Sequence, residues 1–308
     1  MSVDHLQKLI IEKKNPTVVG LDPRPDYVPG HIVKKYVSKY GETCRALAEA
    51  YLEFNKGLID ALCDIVPAVK PQSACYEQLG WEGVRALAET AAYAREKGMY
   101  TIADVKRGDI GSTAEAYAEA YLGTVKVGES SVEPFAFDAA TVSPYLGSDG
   151  IKPFMNVCRE RGRMIFVLAK TSNASSSELQ DLEFGGTPLY ELMGEKIAQL
   201  GSGTEGEYGF GAAGAVVGAT HPQQLKILRA ALPTVFFLVP GYGAQGGTAQ
   251  DVKAAFNEKG HGAVINSSRG IICAWKKTGR NGEDYAEAAR NEAIAMQRAI
   301  TEFVKIEE

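Results

Sequence analysis

Eight short apolar runs, rich in β-branched residues and separated by helical segments, constrain the fold of this chain more than any other feature. Gly, Pro, Asp or Ser bounds each run, and the stretches between them are rich in Ala, Glu and Leu at helical spacing. Several runs are apolar over four or more residues, which is typical of parallel strands buried on both faces. We predict strands at residues 17–22, 67–72, 100–106, 139–144, 164–171, 212–219, 234–241 and 262–268.

This pattern predicts an α/β fold, a (β/α)8 TIM barrel that forms a single domain over residues 1–308. Such barrels typically need about 250 residues plus insertions, which suits the length of this chain. An open, doubly wound sheet is the alternative fold. That fold usually carries a glycine fingerprint after its first strand, whereas this sequence reads GLDPRP there, so the barrel is favoured.

Composition excludes several functional classes. A net charge of −5 provides no broad positive field for nucleic acid or an anionic membrane, so an anionic ligand needs a local site. The five cysteines include no C-x-x-C pair and are interpreted as reduced thiols. The N-terminal MSVDHLQKLIIEKK is unlike a secretory signal, and no apolar stretch approaches membrane-spanning length. We therefore expect a soluble, cytoplasmic protein.

A charge cluster follows the third predicted strand, in YTIADVKRGDIGST. Asp104 and Lys106 are two residues apart in an extended run, so their side chains share one face at the end of the strand. Asp109 follows a turn at Gly108 and can approach the same ammonium from its own subunit or across a dimer interface. A lysine between two carboxylates stays protonated, which favours a proton donor over a Schiff-base nucleophile.

The position of this cluster indicates a catalytic role, because the active sites of such barrels lie at the carboxyl ends of the strands. Asp22 and Lys70 fall at the equivalent ends of strands one and two. Four charged groups are therefore expected to converge on one mouth. A solvated charged turn or a structural ion-pair network are the alternatives, although buried charge networks are costly compared with apolar packing.

An anion site is predicted after strands seven and eight. Strand seven leads into PGYGAQGGT and a helical segment beginning near Ala249, and strand eight ends in NSSRG. Exposed amides and a helix N-terminus favour phosphate, and a guanidinium binds it in a bidentate way. We predict that Gln245 and Arg269 hold the phosphate of a ligand.

Two long loops, residues 22–31 and 170–188, follow strands one and five. Each is interpreted as a lid over the mouth or as a surface insertion. The four histidines match no metal-binding spacing, and we predict no metal site; His221, before Pro222, is predicted to start a helix.

Taken together, the motifs resemble those of the orotidine 5′-phosphate decarboxylase family over essentially the whole chain. The resemblance lies in Asp22, Lys70, Asp104-x-Lys106-x-x-Asp109-Ile110, Ser143-Pro144, PGYGAQGG and SSRG. The strings VVGLDPRP and VKPQSACYE are similar to the longer-chain bacterial branch. The resemblance implies decarboxylation of orotidine 5′-monophosphate to UMP and CO2, the last step of UMP synthesis, by a homodimer without metal or cofactor.

The resemblance also implies a role for each matching residue. Lys106 would deliver the proton to C6 of the pyrimidine, Asp104 would lie beside the departing carboxylate, and Lys70 would hold Asp104 and the ribose. The further implied contacts are Asp22 to a ribose hydroxyl, Ser143 to the pyrimidine amide edge, Tyr242, Gln245 and Arg269 to the phosphate, and Asp109, Ile110 and Thr113 to the site of the partner subunit.

Two other functions stay open. A Mg2+-dependent sugar-phosphate decarboxylase or aldolase of the same barrel group shares D-x-K-x-x-D, but it is expected to have an acidic ligand after strand two, where this chain has Lys70. A noncatalytic sensor of phosphorylated ligands is expected to have lost Lys106 or Asp104, and both are present.

Overall fold

Strands at all eight predicted positions close into one parallel barrel in the computed structural model, which describes residues 2–243 and 245–308. The strands are hydrogen-bonded in sequence order, and the eighth pairs with the first, which confirms the predicted (β/α)8 barrel and its single domain. They are β1 (Thr17–Leu21), β2 (Ala68–Pro71), β3 (Tyr100–Arg107), β4 (Ala139–Val142), β5 (Met164–Lys170), β6 (Ala213–Val217), β7 (Phe237–Val239) and β8 (Ala263–Ser267).

Helices fill the connections between the strands. They are α1 (Ser2–Lys13), α2 (Gly30–Tyr40), α3 (Cys44–Leu62), α4 (Ser73–Glu77), α5 (Gly80–Glu96), α6 (Gly111–Leu122), α7 (Ser148–Arg161), α8 (Ser177–Gln180), α9 (Leu189–Gly201), α10 (Pro222–Ala231), α11 (Ala249–Val252), α12 (Arg269–Ile272) and α13 (Tyr285–Thr301). Single 3₁₀ turns lie at Ala174–Ser176, Lys253–Ala255 and Ala274–Lys277. Two antiparallel hairpins pair Val125–Val127 with Ser130–Val132 and Glu183–Phe184 with Thr187–Pro188.

Local signals explain where several helices begin. Thr43 precedes α3, and its hydroxyl accepts a hydrogen bond from the Ala46 amide. His221 precedes α10 with Pro222 in the first helical position, as predicted. Over residues 2–243 and 245–308, no helix is long and apolar enough to cross a lipid bilayer.

The apolar core has an outer and an inner layer. The outer layer lies between the strands and the surrounding helices, and the inner layer fills the barrel. Side chains of α1, including Val3, Leu6 and Ile10, belong to the inner layer together with Tyr100 and Phe236, so α1 closes the amino end of the barrel. Polar side chains are therefore concentrated at the opposite, carboxyl end.

Candidate active site at the carboxyl ends of the strands

A cavity of about 670 Å³ opens at the carboxyl ends of the barrel strands. Alternate side chains of each strand point into the barrel, and the last of these on each strand line the wall of the cavity. Ala68 in β2 and Ile102 in β3 face the barrel interior, and two residues later Lys70 and Asp104 face the cavity. The predicted site residues in its wall are Asp22, Lys70, Asp104, Lys106, Tyr242, Gln245 and Arg269.

Asp104 is the centre of a buried hydrogen-bond network. Lys70 Nζ lies 2.5 Å from its Oδ2, and Lys106 Nζ lies 2.5 Å from its Oδ1. The amide of Gln72 donates to Oδ2 at 3.1 Å, and the hydroxyl of Thr141 donates to Oδ1 at 3.0 Å. Side chains of β2, β3 and β4 thus fix this carboxylate in one orientation.

Electrostatics keeps this network ionised. Burial by itself would raise the pKa of Asp104, but the charges and hydrogen bonds of Lys70 and Lys106 outweigh it and hold the pKa well below its usual range. Burial lowers the pKa of Lys70, yet the charges of Asp104 and Asp22 prevail and the pKa is raised. At neutral pH the cavity therefore contains a carboxylate held by ammonium groups.

The two ammonium groups differ in access. The Lys70 side chain is 5% exposed, whereas that of Lys106 is 45% exposed. Lys106 also has a backbone φ of 43°, in the left-handed region that a non-glycine residue rarely occupies and that costs about 1–3 kcal/mol. Both lysines line the cavity, and Lys106 is the more accessible of the two to a ligand there.

A glycine-rich turn follows β7 at the other end of the cavity. Gly241, Gly243 and Gly246 have φ values of 100°, 68° and 99°, which glycine adopts at little cost. Gln245 lies over this turn, since its Oε1 would be 3.3 Å from a Cβ on Gly241. Ala244 of the predicted motif lies outside the described residues.

The helix predicted after this turn begins at Ala249, but α11 ends at Val252. Thr248 and Asp251 form its capping box. So short a helix has little macrodipole, because few peptide units align. Side chains such as Gln245 and Arg269 are consequently the more important candidates for anion binding.

The remaining predicted site residues lie outside this cavity wall, within the described part of the chain. Asp109 is half-buried, and its Oδ1 accepts a hydrogen bond from the Ile110 amide at 2.8 Å. Ile110 and Thr113 are exposed at the start of α6. Ser143 packs against the turn at Gly108, with its Cβ 3.3 Å from the position that a Cβ of Gly108 would occupy.

The cavity wall includes polar residues that the sequence reasoning missed. Gln72 and Asn266 each lie at the end of a strand, two residues beyond an inward-facing side chain, so the same alternation could have identified them. Asn266 is 8% exposed, and its amide oxygen has no hydrogen-bond partner among the described residues. Thr141 of β4 is the third such residue, and no motif marked it.

The two long loops also border the cavity. Arg24 and Tyr27 come from the loop after β1, and Asn173 and Gln180 from the loop after β5. Gln180 exchanges hydrogen bonds with Thr171 at 2.9 and 2.8 Å, which ties the second loop to the end of its strand. Both loops therefore lie where a lid is expected.

Known proteins resemble this chain over almost its whole length. A protein from Rhodopirellula baltica named orotidine 5′-phosphate decarboxylase is 43% identical over 299 residues, which cover 96% of this chain and 97% of that relative. One of the same name from Clostridium perfringens strain 13 is 40% identical over 295 residues, 96% of each chain. The solved structure of Leishmania donovani OMP decarboxylase superposes with a TM-score of 0.71 at 33% identity, covering 97% of this chain and 99% of that one. The model of the Orotidine 5′-phosphate decarboxylase / HUMPS family matches residues 18–280, and the chain belongs to that family.

Proposed function

We propose that this protein converts orotidine 5′-monophosphate to UMP and CO2, the last step of de novo pyrimidine synthesis. The observation that carries the proposal is the buried Asp104 carboxylate between the ammonium groups of Lys70 and Lys106, in a cavity that extends to Gln245 and Arg269. Membership of the family and the names of the relatives support the same reaction.

Lys106 is the proposed proton donor. When the bond between C6 and the carboxylate breaks, its electron pair stays on C6, and the pyrimidine offers this carbanion no ordinary electron sink. A fixed ammonium stabilises that charge as it develops. The Nζ proton then moves to C6, and the neutral amine regains a proton from water. The exposed fraction of Lys106, larger than that of Lys70, supports this role.

Asp104 is proposed to lie beside the departing carboxylate. Its low pKa keeps it negative, so it repels the substrate carboxylate and this repulsion is relieved as CO2 leaves. Lys70 fixes Asp104 and reaches towards the ribose. The two roles require the rigid network that surrounds Asp104.

The rest of the nucleotide supplies binding energy away from the reacting carbon. We assign the phosphate to Gln245, Arg269 and Tyr242, which line the cavity, and we make no such assignment for Ser143, because it lies outside the cavity wall. We assign a ribose hydroxyl to Asp22, since its buried Oδ1 has no partner among the described residues and is an acceptor without a donor.

The proposed reaction needs no metal or cofactor. In the rival Mg2+ enzyme, a carboxylate at this end of the barrel would coordinate the cation, but here Lys70 Nζ occupies that side of Asp104 at 2.5 Å. Activity should survive EDTA. Loss of activity in EDTA that added Mg2+ restores would favour the sugar-phosphate decarboxylase or aldolase instead.

We propose a homodimer with shared active sites, in which Asp109, Ile110 and Thr113 reach the cavity of the partner. Exposed apolar side chains near this end of the barrel support an interface: Ile110 is 56% exposed and Tyr145 is 81% exposed. Leu146, next to Tyr145 in the loop after β4, is also exposed, at 48%.

A cytoplasmic location is the last part of the proposal. All five cysteines are free thiols, with Cys158 buried and Cys44 exposed. Reducing compartments maintain cysteines in this state.

One assay tests the function. The purified protein is incubated with orotidine 5′-monophosphate while the pyrimidine absorbance is followed, with the Lys106→Ala variant as the matched control. We expect a change that depends on the concentration of wild-type protein and is lost in the variant. No change at any protein concentration, together with binding of the nucleotide, would favour the noncatalytic sensor.

A further inference from the structure

Thr141 is a buried residue of β4 whose hydroxyl contacts two parts of the network at once. Its Oγ1 accepts hydrogen bonds from the backbone amides of Val105 at 3.0 Å and Lys106 at 2.9 Å. It also donates to Asp104 Oδ1 at 3.0 Å. A hydroxyl offers one proton and two lone pairs, so these three hydrogen bonds use all of them.

The position of Thr141 coincides with an irregularity in the barrel. Ala103 of β3 pairs with Ala140 of β4, but the next pair is Arg107 with Val142, so four positions along β3 correspond to two along β4. The extra residues bulge out of the ladder, and their amides lose the regular carbonyl partners. The oxygen of Thr141 supplies the missing acceptor to two of them.

This bulge contains the reactive group. Lys106 adopts its left-handed backbone conformation there, and such a conformation persists only where the surroundings hold it. A valine would fill the space of Thr141 but would leave two amides without an acceptor and Asp104 with one donor fewer. The hydroxyl, and not merely the volume, is therefore what the site requires at this position.

We propose that Thr141 is a positioning residue for the decarboxylation: its hydroxyl fixes the backbone of Lys106 and the carboxylate of Asp104 relative to each other. This inference rests on the proposed roles of Lys106 and Asp104. Thr141 acts through those two residues, so its loss should slow the chemical step and leave the affinity for the nucleotide largely intact.

The test compares Thr141→Val and Thr141→Ser with Thr101→Val in the full-length protein. Thr101 is a matched control because it is also a buried threonine, lies in β3, and donates to Asp138 at 2.9 Å away from the cavity. For Thr141→Val we expect kcat to fall by about 10- to 100-fold, as the loss of buried hydrogen bonds implies, with KM changed less than about threefold. Thr141→Ser keeps the hydroxyl and should retain kcat within about threefold. Thr101→Val should retain the wild-type kcat, although its Tm should fall by as much as that of Thr141→Val.

The outcomes are separable. A folded Thr141→Val protein with kcat within twofold of wild type would overturn the inference, and so would a Thr141→Ser protein that is folded and equally slow. If Thr141→Val does not fold, Thr141→Ala assayed at low temperature replaces it under the same two criteria. Inactive wild-type protein would instead refute the proposed function, so the two failures are distinct.

Discussion

Lys70 Nζ and Asp104 Oδ2 are 2.5 Å apart on neighbouring strands β2 and β3, and both side chains are buried. A second ammonium, that of Lys106, lies on the other carboxylate oxygen at the same distance. Asp104 is therefore the common counter-charge of two lysines. The stability and the chemistry of the site depend on this one carboxylate in different ways.

Replacing Asp104 by alanine should destabilise the protein. Two ammonium groups would lose their shared carboxylate, and removing one partner of a buried ion pair typically costs about 3–5 kcal/mol. Urea unfolding of Asp104→Ala should show a decrease of that size in the free energy of unfolding. Adding Lys70→Met to this variant should recover part of the loss, because the buried charge that lacked a partner is gone.

Lys8→Met is the control for that experiment. Lys8 pairs with Glu12 at 3.9 Å on the surface of α1, where both side chains are more than half exposed. Such pairs contribute about 0.5 kcal/mol or less. Equal losses in Asp104→Ala and Lys8→Met would show that the buried network does not stabilise the fold.

Stability should fall in acid because of Asp104. Its pKa is depressed in the folded protein, so its contribution is complete above its unfolded pKa of about 3.9 and disappears as pH falls through the folded value. Below about pH 4, the free energy of unfolding should therefore decrease more steeply in wild type than in Asp104→Asn. Parallel curves for the two proteins in this range would contradict the assigned charge state.

Arg269→Ala should lower kcat/KM by about a hundredfold or more, although we assign Arg269 to the phosphate and not to the pyrimidine. A guanidinium on a phosphate makes charge-assisted hydrogen bonds, and their energy supports closure of the site around the nucleotide. The same change at Arg298, an exposed residue of α13, should have no effect on kcat/KM. Near-normal kcat/KM for Arg269→Ala would remove this residue from the phosphate site.

Mixed dimers can show which subunit supplies Asp109. Lys106→Ala and Asp109→Ala should each be inactive alone. If Asp109 serves the partner, a heterodimer of the two variants has one intact site, so random mixing of equal amounts should restore about a quarter of wild-type activity. Activity no higher than in the separate variants would assign Asp109 to its own subunit.

The sequence predicted the barrel because each strand is a short apolar run with inward and outward faces. Predicted runs such as 234–241 are longer than the strands that form, here Phe237–Val239, because apolar residues continue into the loops beyond the last ladder hydrogen bond. Lys70, Asp104 and Lys106 were identifiable from their place at strand ends. Gln72 and Asn266 obey the same rule and were missed only because their side chains are uncharged.

Other parts of the site depend on information that one sequence does not contain. The contact between Thr141 and the amides of Val105 and Lys106 depends on the register of two strands and on a bulge, which hydrophobic periodicity does not encode. The helix after the glycine turn was predicted from its start, but its length depends on packing. The partner of Asp109 depends on a second chain.

Helix α1 closes the amino end of the barrel, so the cavity opens to solvent only at the carboxyl end of the described structure. The apolar side chains of Val3, Leu6 and Ile10 pack inside the barrel on the amino side of the charged network. Substrate and both products must therefore pass the same rim, between the loops after β1, β5 and β7. Product release through this rim is a step of every turnover. Motion of these loops can therefore limit kcat independently of the proposed proton transfer from Lys106.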